Sequence, residues 1–526
     1  MRRISALSAA LLVVMPAVAE NPIAVSKTFR TNDPIFTVVS PTYMMMSRND
    51  RMYTKEDGKH GSLEALGIYS RTTGHGIRDY FLPVSGKSTL VAGEINSAAA
   101  NTVPSTVDIQ ANYFNVQTHG VSTTGDLANL TFQSNLTFDP RQTMAGVAFK
   151  WQQGFTVRNR DLYFKVSVPV IQVTNDLRFS EEVIHTGGIG GSTPVVPTGA
   201  VANMTEAFKQ PLLQYGRIDG KQSKWGVADI EVILGVDWTK QDHCQLSTFI
   251  GLVAPTGNRP KAEYLYEAIV GNNHHWGVLL GGSSRHLWKE GDNYTLTFLC
   301  DGDWRYLFEN TQTRMFDLVD KPWGRYIYLA DTTVTAALTG TDSLFAQPTA
   351  NDSLVLGANF LTQEVQVKPY GAFMINTALN YRHDNGCELE GGFNFYTRQA
   401  EKVRLKNDFA NPNSYGIPLL SSDVGAGNWA QTASFATIDN TQAGGDGDIN
   451  QISGANIAVL ITEADLDFNS ASHPAVLESS FYGIAGKNWD SWRFPCYAGV
   501  GGSYTYSVDN SGTDRWAVFG KLGVSF

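Results

Sequence analysis

The amino-acid sequence predicts an all-β protein, a transmembrane antiparallel β-barrel of about 12–14 strands with long extracellular loops. Three features predict it: an amino-terminal export segment, apolar/polar alternation that recurs along the chain, and a last strand ending on phenylalanine.

The export segment is read over residues 1–19. Arg2 and Arg3 precede an apolar run from Ile4 to Val14, and Ala17-Val18-Ala19 before Glu20 is the small-residue pattern of a signal-peptide cleavage site. Position 20 is not cysteine, so nothing points to a lipidated amino terminus. Beyond it no stretch reaches the roughly 18 apolar residues that a transmembrane helix needs. A membrane role therefore falls to strands. Composition agrees: 50 glycines, 27 phenylalanines, 21 tyrosines and 11 tryptophans accompany only 17% charged residues. A mean hydropathy of -0.18 is what a wall with one apolar and one polar face produces. The formal net charge of -10 argues against a nucleic-acid partner. Cys244, Cys300, Cys387 and Cys496 are too widely spaced for a zinc site, and we read them as small apolar side chains. Disulfide pairing is open in an oxidising compartment, with no connectivity favoured.

Strand alternation is clearest at the carboxyl terminus. Trp516, Val518, Gly520, Leu522, Val524 and Phe526 share one face of an extended strand, which suits lipid, while Lys521 on the other can point into a wet lumen. A final strand ending in Phe526 resembles the assembly signal of bacterial outer-membrane proteins. In 226–238, Ala228, Ile230, Val232, Leu234, Val236 and Trp238 oppose Asp229, Glu231 and Asp237. Carboxylates facing lipid would be costly, so this second face belongs to the lumen. Residues 129–138 read as another wall strand, with Leu130, Phe132, Leu136 and Phe138 opposing Thr131, Gln133, Asn135 and Thr137. Further strands are expected near 143–152, 161–173, 244–254, 274–288, 293–308, 367–382, 387–399, 475–487 and 494–508, with weaker candidates at 62–71 and 108–116.

Loop lengths supply a separate test, because bacterial barrels have short periplasmic turns and longer outer loops. Brief connections at 240–243, 289–292, 383–386 and 488–493 alternate with long ones near 174–225, 309–366 and 400–474. Asp139-Pro140-Arg141-Gln142 breaks the rule, a tight turn on the side where a long loop is expected. Residues 20–60 lack alternation and are read as a lead-in, with a plug as the alternative, and 61–526 as the barrel.

The expected inner face carries both signs. Its cations are Lys150, Lys165, Arg305, Lys368, Arg382, Arg398 and Lys521, and its anions Asp229, Glu231, Asp301, Asp303, Glu388, Glu390 and Glu478. Such groups set a field along an aqueous pore, or brace the strands of a closed barrel. Asp301 with Asp303, and Glu388 with Glu390, each share a strand face and could hold a cation or a hydrolytic water, but no surrounding motif assigns an acid and a base. No catalytic residue, metal site or cofactor is assigned. Residues 444–450 offer oxygen ligands without the spacing of a recognised calcium loop. His274 and His275 point oppositely on a strand and make poor partners for one metal, and His243 falls in a periplasmic turn. The glycine-rich 187–192 lacks the lysine of a phosphate loop.

Taken together, the export segment, the alternation and Phe526 resemble bacterial outer-membrane porins and related channels. Locally, Gly226-Val227-Ala228-Asp229-Ile230 through Pro255-Thr256-Gly257 resembles outer-membrane hydrocarbon-uptake and phenol-degradation-associated channels, although Ala228 stands where those families often have glycine. The resemblance implies a Gram-negative outer-membrane channel, passive and porin-like, admitting small solutes under the control of its outer loops. A closed or plugged barrel working through surface interactions is the alternative. Expected partners are outer-membrane lipid, the barrel-assembly machinery, small solutes and a second copy of the chain.

Overall fold

The computed structural model describes residues 59–73, 132–158, 160–186, 201–241, 243–319, 354–409, 457–507 and 513–526, with shorter stretches between them. The export segment, residues 20–58, the glycine-rich 187–192 and the 444–450 segment lie outside the described residues.

The wall is built from β1 (Lys59–Thr72), β2 (Arg141–Val157), β3 (Arg160–Asp176), β4 (Lys221–Val227), β5 (Ile230–Gln241), β6 (Cys244–Ala254) and β7 (Gly277–Glu290). It continues through β8 (Tyr294–Leu307), β9 (Tyr370–His383), β10 (Cys387–Arg398), β11 (Val476–Trp489), β12 (Cys496–Ser507) and β13 (Arg515–Ser525). Neighbours are antiparallel throughout, and the sheet closes where β1 pairs with both β13 and β2. Strands β4 and β5 both pair with β3, above and below a break at Ala228-Asp229, so the closed wall has twelve staves. Closure leaves no lipid-facing edge of unpaired amides, which the hydrocarbon would not tolerate. At the seam Gly61 and Phe526 exchange backbone hydrogen bonds of 2.8 and 3.0 Å.

Alternation sorts the faces as the sequence requires. Outward residues such as Phe149, Trp151, Leu234, Ile250, Phe481, Val500 and Leu522 are exposed, whereas inward Lys150, Glu231 and Lys521 are buried. The four cysteines are free, and each occupies an outward position of its strand. Short turns join the strands at one end, the periplasmic one, and the long connections gather at the other.

The 129–138 segment corrects the sequence reading. Its strand, Phe132–Thr137, pairs with Thr89–Gly93 and Ser180–Thr186 above the barrel and is not a stave. The alternation there is real, but its apolar face meets a second core in place of lipid. Phe132, Leu136 and Phe138 are buried with Phe208, Phe316, Trp323 and Tyr326, contributed by several outer connections. The tight turn at Asp139-Pro140 is thus the entry from this outer layer into β2. Ile109–Gln110, within the weak 108–116 candidate, also belongs to the outer layer.

One buried ion pair ties that cap together. Arg325 and Asp317 are joined by two charge-assisted hydrogen bonds of 2.8 Å, and the Asp317 amide donates to Ser470 at 2.7 Å. Next to it the Tyr326 hydroxyl donates to the Gly216 carbonyl at 2.6 Å. Three outer connections are thereby fastened at one point.

Inside the wall, aromatic rings lie against glycines of neighbouring strands. A Cβ on Gly392 would stand 2.3 Å from the Tyr482 ring, and Gly235 and Gly501 face Tyr163 and Phe519 in the same way. Gly391, one residue away and facing lipid, has nothing within 4 Å. Gly392→Val is therefore expected to destabilise the barrel by about 1–3 kcal/mol through overpacking, and Gly391→Val to leave it unchanged. The unfolding temperature of the heat-modifiable band on cold electrophoresis checks this, and equal effects of the two substitutions would refute it.

Candidate functional site

The lumen is the one place where polar and charged side chains converge inside the wall. On four adjacent staves its character changes at one level. Beneath an outermost polar ring of Thr72, Ser70, Arg515, Gln142 and Asn175, β1 presents Ile68 and Leu66, then Glu64 and Ser62; β13 presents Ala517 and Phe519, then Lys521 and Ser525. Strand β2 likewise passes from Met144 and Ala148 to Lys150 and Gln152, and β3 from Val173 and Ile171 to Ser167 and Lys165. The apolar residues of the upper tier belong to one contiguous cluster, which also takes in Tyr482 and Ile484 of β11 and Ala268 and Val270 of the 255–276 connection.

Below this tier lies a charged floor. Glu64 sits between Lys521 at 3.0 Å and Lys150 at 3.5 Å, all three buried, and the Lys165 ammonium lies 4.6 Å from the Tyr163 ring centre. On the other side of the lumen, outward of Leu299 on β8 and so not below the tier, Arg305 reaches Glu231 at 2.9 Å and Asp303 at 3.7 Å. Strands β5 and β8 are separated by β6 and β7, so this pair spans the interior and does not merely decorate one strand. Asn380 donates to Glu388 and Glu390 at 2.5 and 2.8 Å, and the Tyr482 hydroxyl donates to Glu390 at 3.1 Å. Above the apolar tier, at the outer ends of β11 and β13, Glu478 pairs with Arg515 at 2.5 Å. Buried charges are tolerated when paired in this way, and each pair costs most when one partner is removed.

The structure places the residues expected from sequence as follows. Lys150, Lys165, Glu231, Asp301, Asp303, Arg305, Glu388, Glu390, Arg398, Glu478 and Lys521 are buried on inward faces of the wall. Arg382 is inward too, but at the periplasmic rim, where it pairs with Asp490. Lys368 is not in the wall: it ends the strand Thr362–Lys368, which pairs with Asn310–Met315 and Lys402–Leu405 in the cap. Arg398 lies at the outer mouth against His473 and the Pro474 carbonyl. Of the histidines, His274 and His275 face backbone carbonyls of Gly257 and Phe308 at 2.9 and 2.8 Å, and Gln312 joins His275 at 2.8 Å.

Asp229 has a different task from the pore charges. It stands at the stave break, where its Oδ2 accepts the Asn272 amide at 2.7 Å, and the Thr256 hydroxyl donates to the Ala228 carbonyl at 2.5 Å. The two sequence segments 226–230 and 255–257 therefore meet: the second belongs to a connection that supplies the hydrogen bonds an unbroken strand would have made. Gly257 is required by proximity, since a Cβ there would stand 1.9 Å from the Val270 carbonyl oxygen.

Sequence reasoning missed two parts of the site. Glu64 escaped because both faces of β1 are mixed, Leu63, Ala65, Gly67 and Tyr69 opposing Ser62, Glu64, Leu66 and Ile68. The apolar tier escaped because the inner face was searched for charge, although Ala517 and Phe519 stand on the Lys521 face in plain view.

An all-antiparallel closed barrel with an apolar belt outside and paired charges inside defines a bacterial outer-membrane β-barrel protein. No protein-family model matches the chain, nor does any curated protein. Among solved structures it is similar to the COG4313 outer membrane channel from Pseudomonas putida F1, at 10% identity and a TM-score of 0.38, over 90% of this chain and 97% of that one. It is also similar to a Pseudomonas aeruginosa FadL homologue, at 8% identity and a TM-score of 0.28 over 95% and 96% of the two chains. The Pseudomonas putida toluene transporter TodX matches at 9% identity and a TM-score of 0.26 over 96% and 97%. These likenesses concern the fold.

Within the 255–276 connection, Glu267 accepts the amides of Lys261 and Ala262 at 2.9 and 3.0 Å. Burial pushes its carboxyl up to about 7, against the two hydrogen bonds and with help from nearby Glu263. A raised carboxyl makes the closed loop most stable while both states keep the proton. As pH climbs from about 4.5 through about 7 the open loop loses its proton first, and the closed loop is weakened by about 3 kcal/mol. Hydrogen exchange at the Lys261 and Ala262 amides, corrected for intrinsic rates, should show protection falling between pH 5 and pH 8. Glu267→Gln should flatten that slope, and a pH-independent wild type would sink the assignment.

Proposed function

We propose that the protein is an outer-membrane channel that takes up small apolar molecules, a narrower reading than the porin-like solute channel expected from sequence. The observation that carries it is the layered lumen: a contiguous apolar tier on four adjacent staves, beneath a polar mouth and above the Glu64–Lys150–Lys521 floor. A general porin keeps its inner charges wet and exposed so that ions pass with their hydration. Here the inner charges are buried and bound to each other, and the equally buried tier of side chains that a permeant would have to part is apolar, which favours a molecule that partitions out of water. Burying roughly 25 cal/mol per Å² of apolar surface gives such a molecule a site of residence. The paired floor would then act as the polar step at which it leaves.

The test is uptake of labelled toluene by cells with an intact outer membrane, with and without the protein. Leu66→Asn puts an amide in the apolar tier at a cost of about 1–3 kcal/mol, and should lower uptake roughly tenfold. Lys368→Gln, in the cap, should leave it unchanged. Planar bilayers supply the opposing outcome: large ionic steps from wild-type protein, with toluene uptake insensitive to Leu66→Asn, would restore the aqueous porin. Folded, inserted protein that passes neither ions nor toluene would leave a closed barrel acting through its cap.

A further inference from the structure

Outward residues at the outer end of the barrel divide the wall into two sectors. Beside β7, β8 and β12 the ring above the apolar belt is aromatic, with Trp276, Trp304, Tyr306, Tyr504 and Tyr506. On β1 to β4 it is cationic. There the outward positions rise in three tiers. Tyr69, Val147, Val170 and Trp225 are the last of the apolar belt; Thr143, Gln172, Thr174 and Ser223 stand beside or above these; and Arg71, Arg141 and Lys221 are the cations of the outer end. The middle tier is knitted together, Gln172 donating to Ser223 at 2.9 Å and the Thr174 and Ser223 hydroxyls lying 3.0 Å apart.

We propose that this sector binds the phosphorylated headgroup of an outer-leaflet glycolipid. The upper tier gathers positive charge. A single oxygen of Asp139 lies 3.2 Å from Arg141 and 2.6 Å from Arg178, and Lys221 lies 3.5 Å from Asp176. Among the described residues Arg71, Arg141, Arg178 and Lys221 thus outnumber Asp139, Asp176 and, beside β1 at the outer end of β13, Asp514, in a chain whose formal net charge is -10. The Arg178 and Lys221 side chains are 48% and 71% exposed, so their donors remain available to a ligand. Guanidinium and ammonium groups together suit phosphate oxygens.

Geometry selects the kind of lipid. From Val147 to Arg141 and from Val170 to Asp176 the wall climbs six residues, and from Trp225 to Lys221 four. At about 3.3 Å per residue and a tilt of about 40° that is a rise of about 10 to 15 Å. A glycerophosphate lies close above the acyl chains, whereas a saccharide carrying phosphate reaches the full height. The hydroxyl and amide tier between belt and cations offers it hydrogen-bonding groups on the way. Free phosphate would use only the top tier.

The experiment uses the full chain in phosphatidylcholine nanodiscs, with bisphosphorylated lipid A as probe and native mass spectrometry as readout. Wild-type protein should retain lipid A in preference to phosphatidylglycerol, more weakly in high salt, and removing the lipid A phosphates should abolish the preference. The variant R71Q/K221Q removes two exposed cations and should weaken binding roughly tenfold, while K289Q/K487Q, exposed near the periplasmic rim, should not. If the double variant fails to fold, judged by heat-modifiable migration, each single substitution is read in its place, with about a threefold loss expected. Unchanged binding in the folded variants, an equal loss in the rim control, or equal retention of phosphatidylglycerol by the wild type would each overturn the proposal.

Discussion

Every backbone amide that faces hydrocarbon must find a partner within the protein, and the rest of this structure follows from meeting that demand by closure. Twelve staves close because β13 returns to β1, down to the exchange between Phe526 and Gly61. The ladder slips by one residue at Trp238 and at Trp288, and at Ala228-Asp229 the stave itself breaks. There the Ala228 amide still reaches the Pro169 carbonyl at 2.8 Å, while Thr256 and Asn272 supply the groups a continuous strand would have provided. The break is thus a built junction between wall and loop, and Asp229 is the residue on which it turns.

The interior obeys a related rule for charge. Lysines and carboxylates facing lipid would be expensive, so the alternation of the strands sends them inward, and once inside they must answer to one another. Glu64 with Lys150 and Lys521, and Arg305 with Glu231, do so across strand boundaries. Such pairs add little net stability compared with apolar packing, but they hold the staves that contribute them in one arrangement. The buried Arg325–Asp317 pair performs the same service for the cap, where several long connections have no sheet to align them.

Fold class was legible because alternation is a local property that survives without any knowledge of neighbours. Strands such as 226–238 and 516–526 announce both faces in their own residues. Stave membership is a different matter, as 129–138 shows: a strand whose apolar side meets another protein layer looks the same in sequence as one whose apolar side meets lipid. Charge placement was readable for the same reason as the faces, so Lys150, Glu231 and Lys521 fall where parity puts them. Lys368 did not, because the strand that carries it ends just before β9 begins at Tyr370 and the two read as one. Pairing partners were never legible. Glu64 meets Lys521 only because the first and last staves adjoin, a contact between the two ends of the chain.

The glycine content, read at first as a mark of class, has a mechanical consequence for the site. Inward side chains stand roughly perpendicular to a sheet, and aromatic rings standing so from several staves would fill a narrow barrel. Opposite a glycine, a ring can lie flat on the neighbouring strand, as Tyr482 does over Gly392 and Phe519 over Gly501. The ring then covers backbone and contributes an apolar surface to the wall while leaving the axis to other groups. This is why Tyr482 and Phe519 can belong to the same apolar tier as small residues such as Ala148 and Ala517. Glycine in the strands and aromatics in the lumen are therefore two halves of one device, and the apolar tier depends on both.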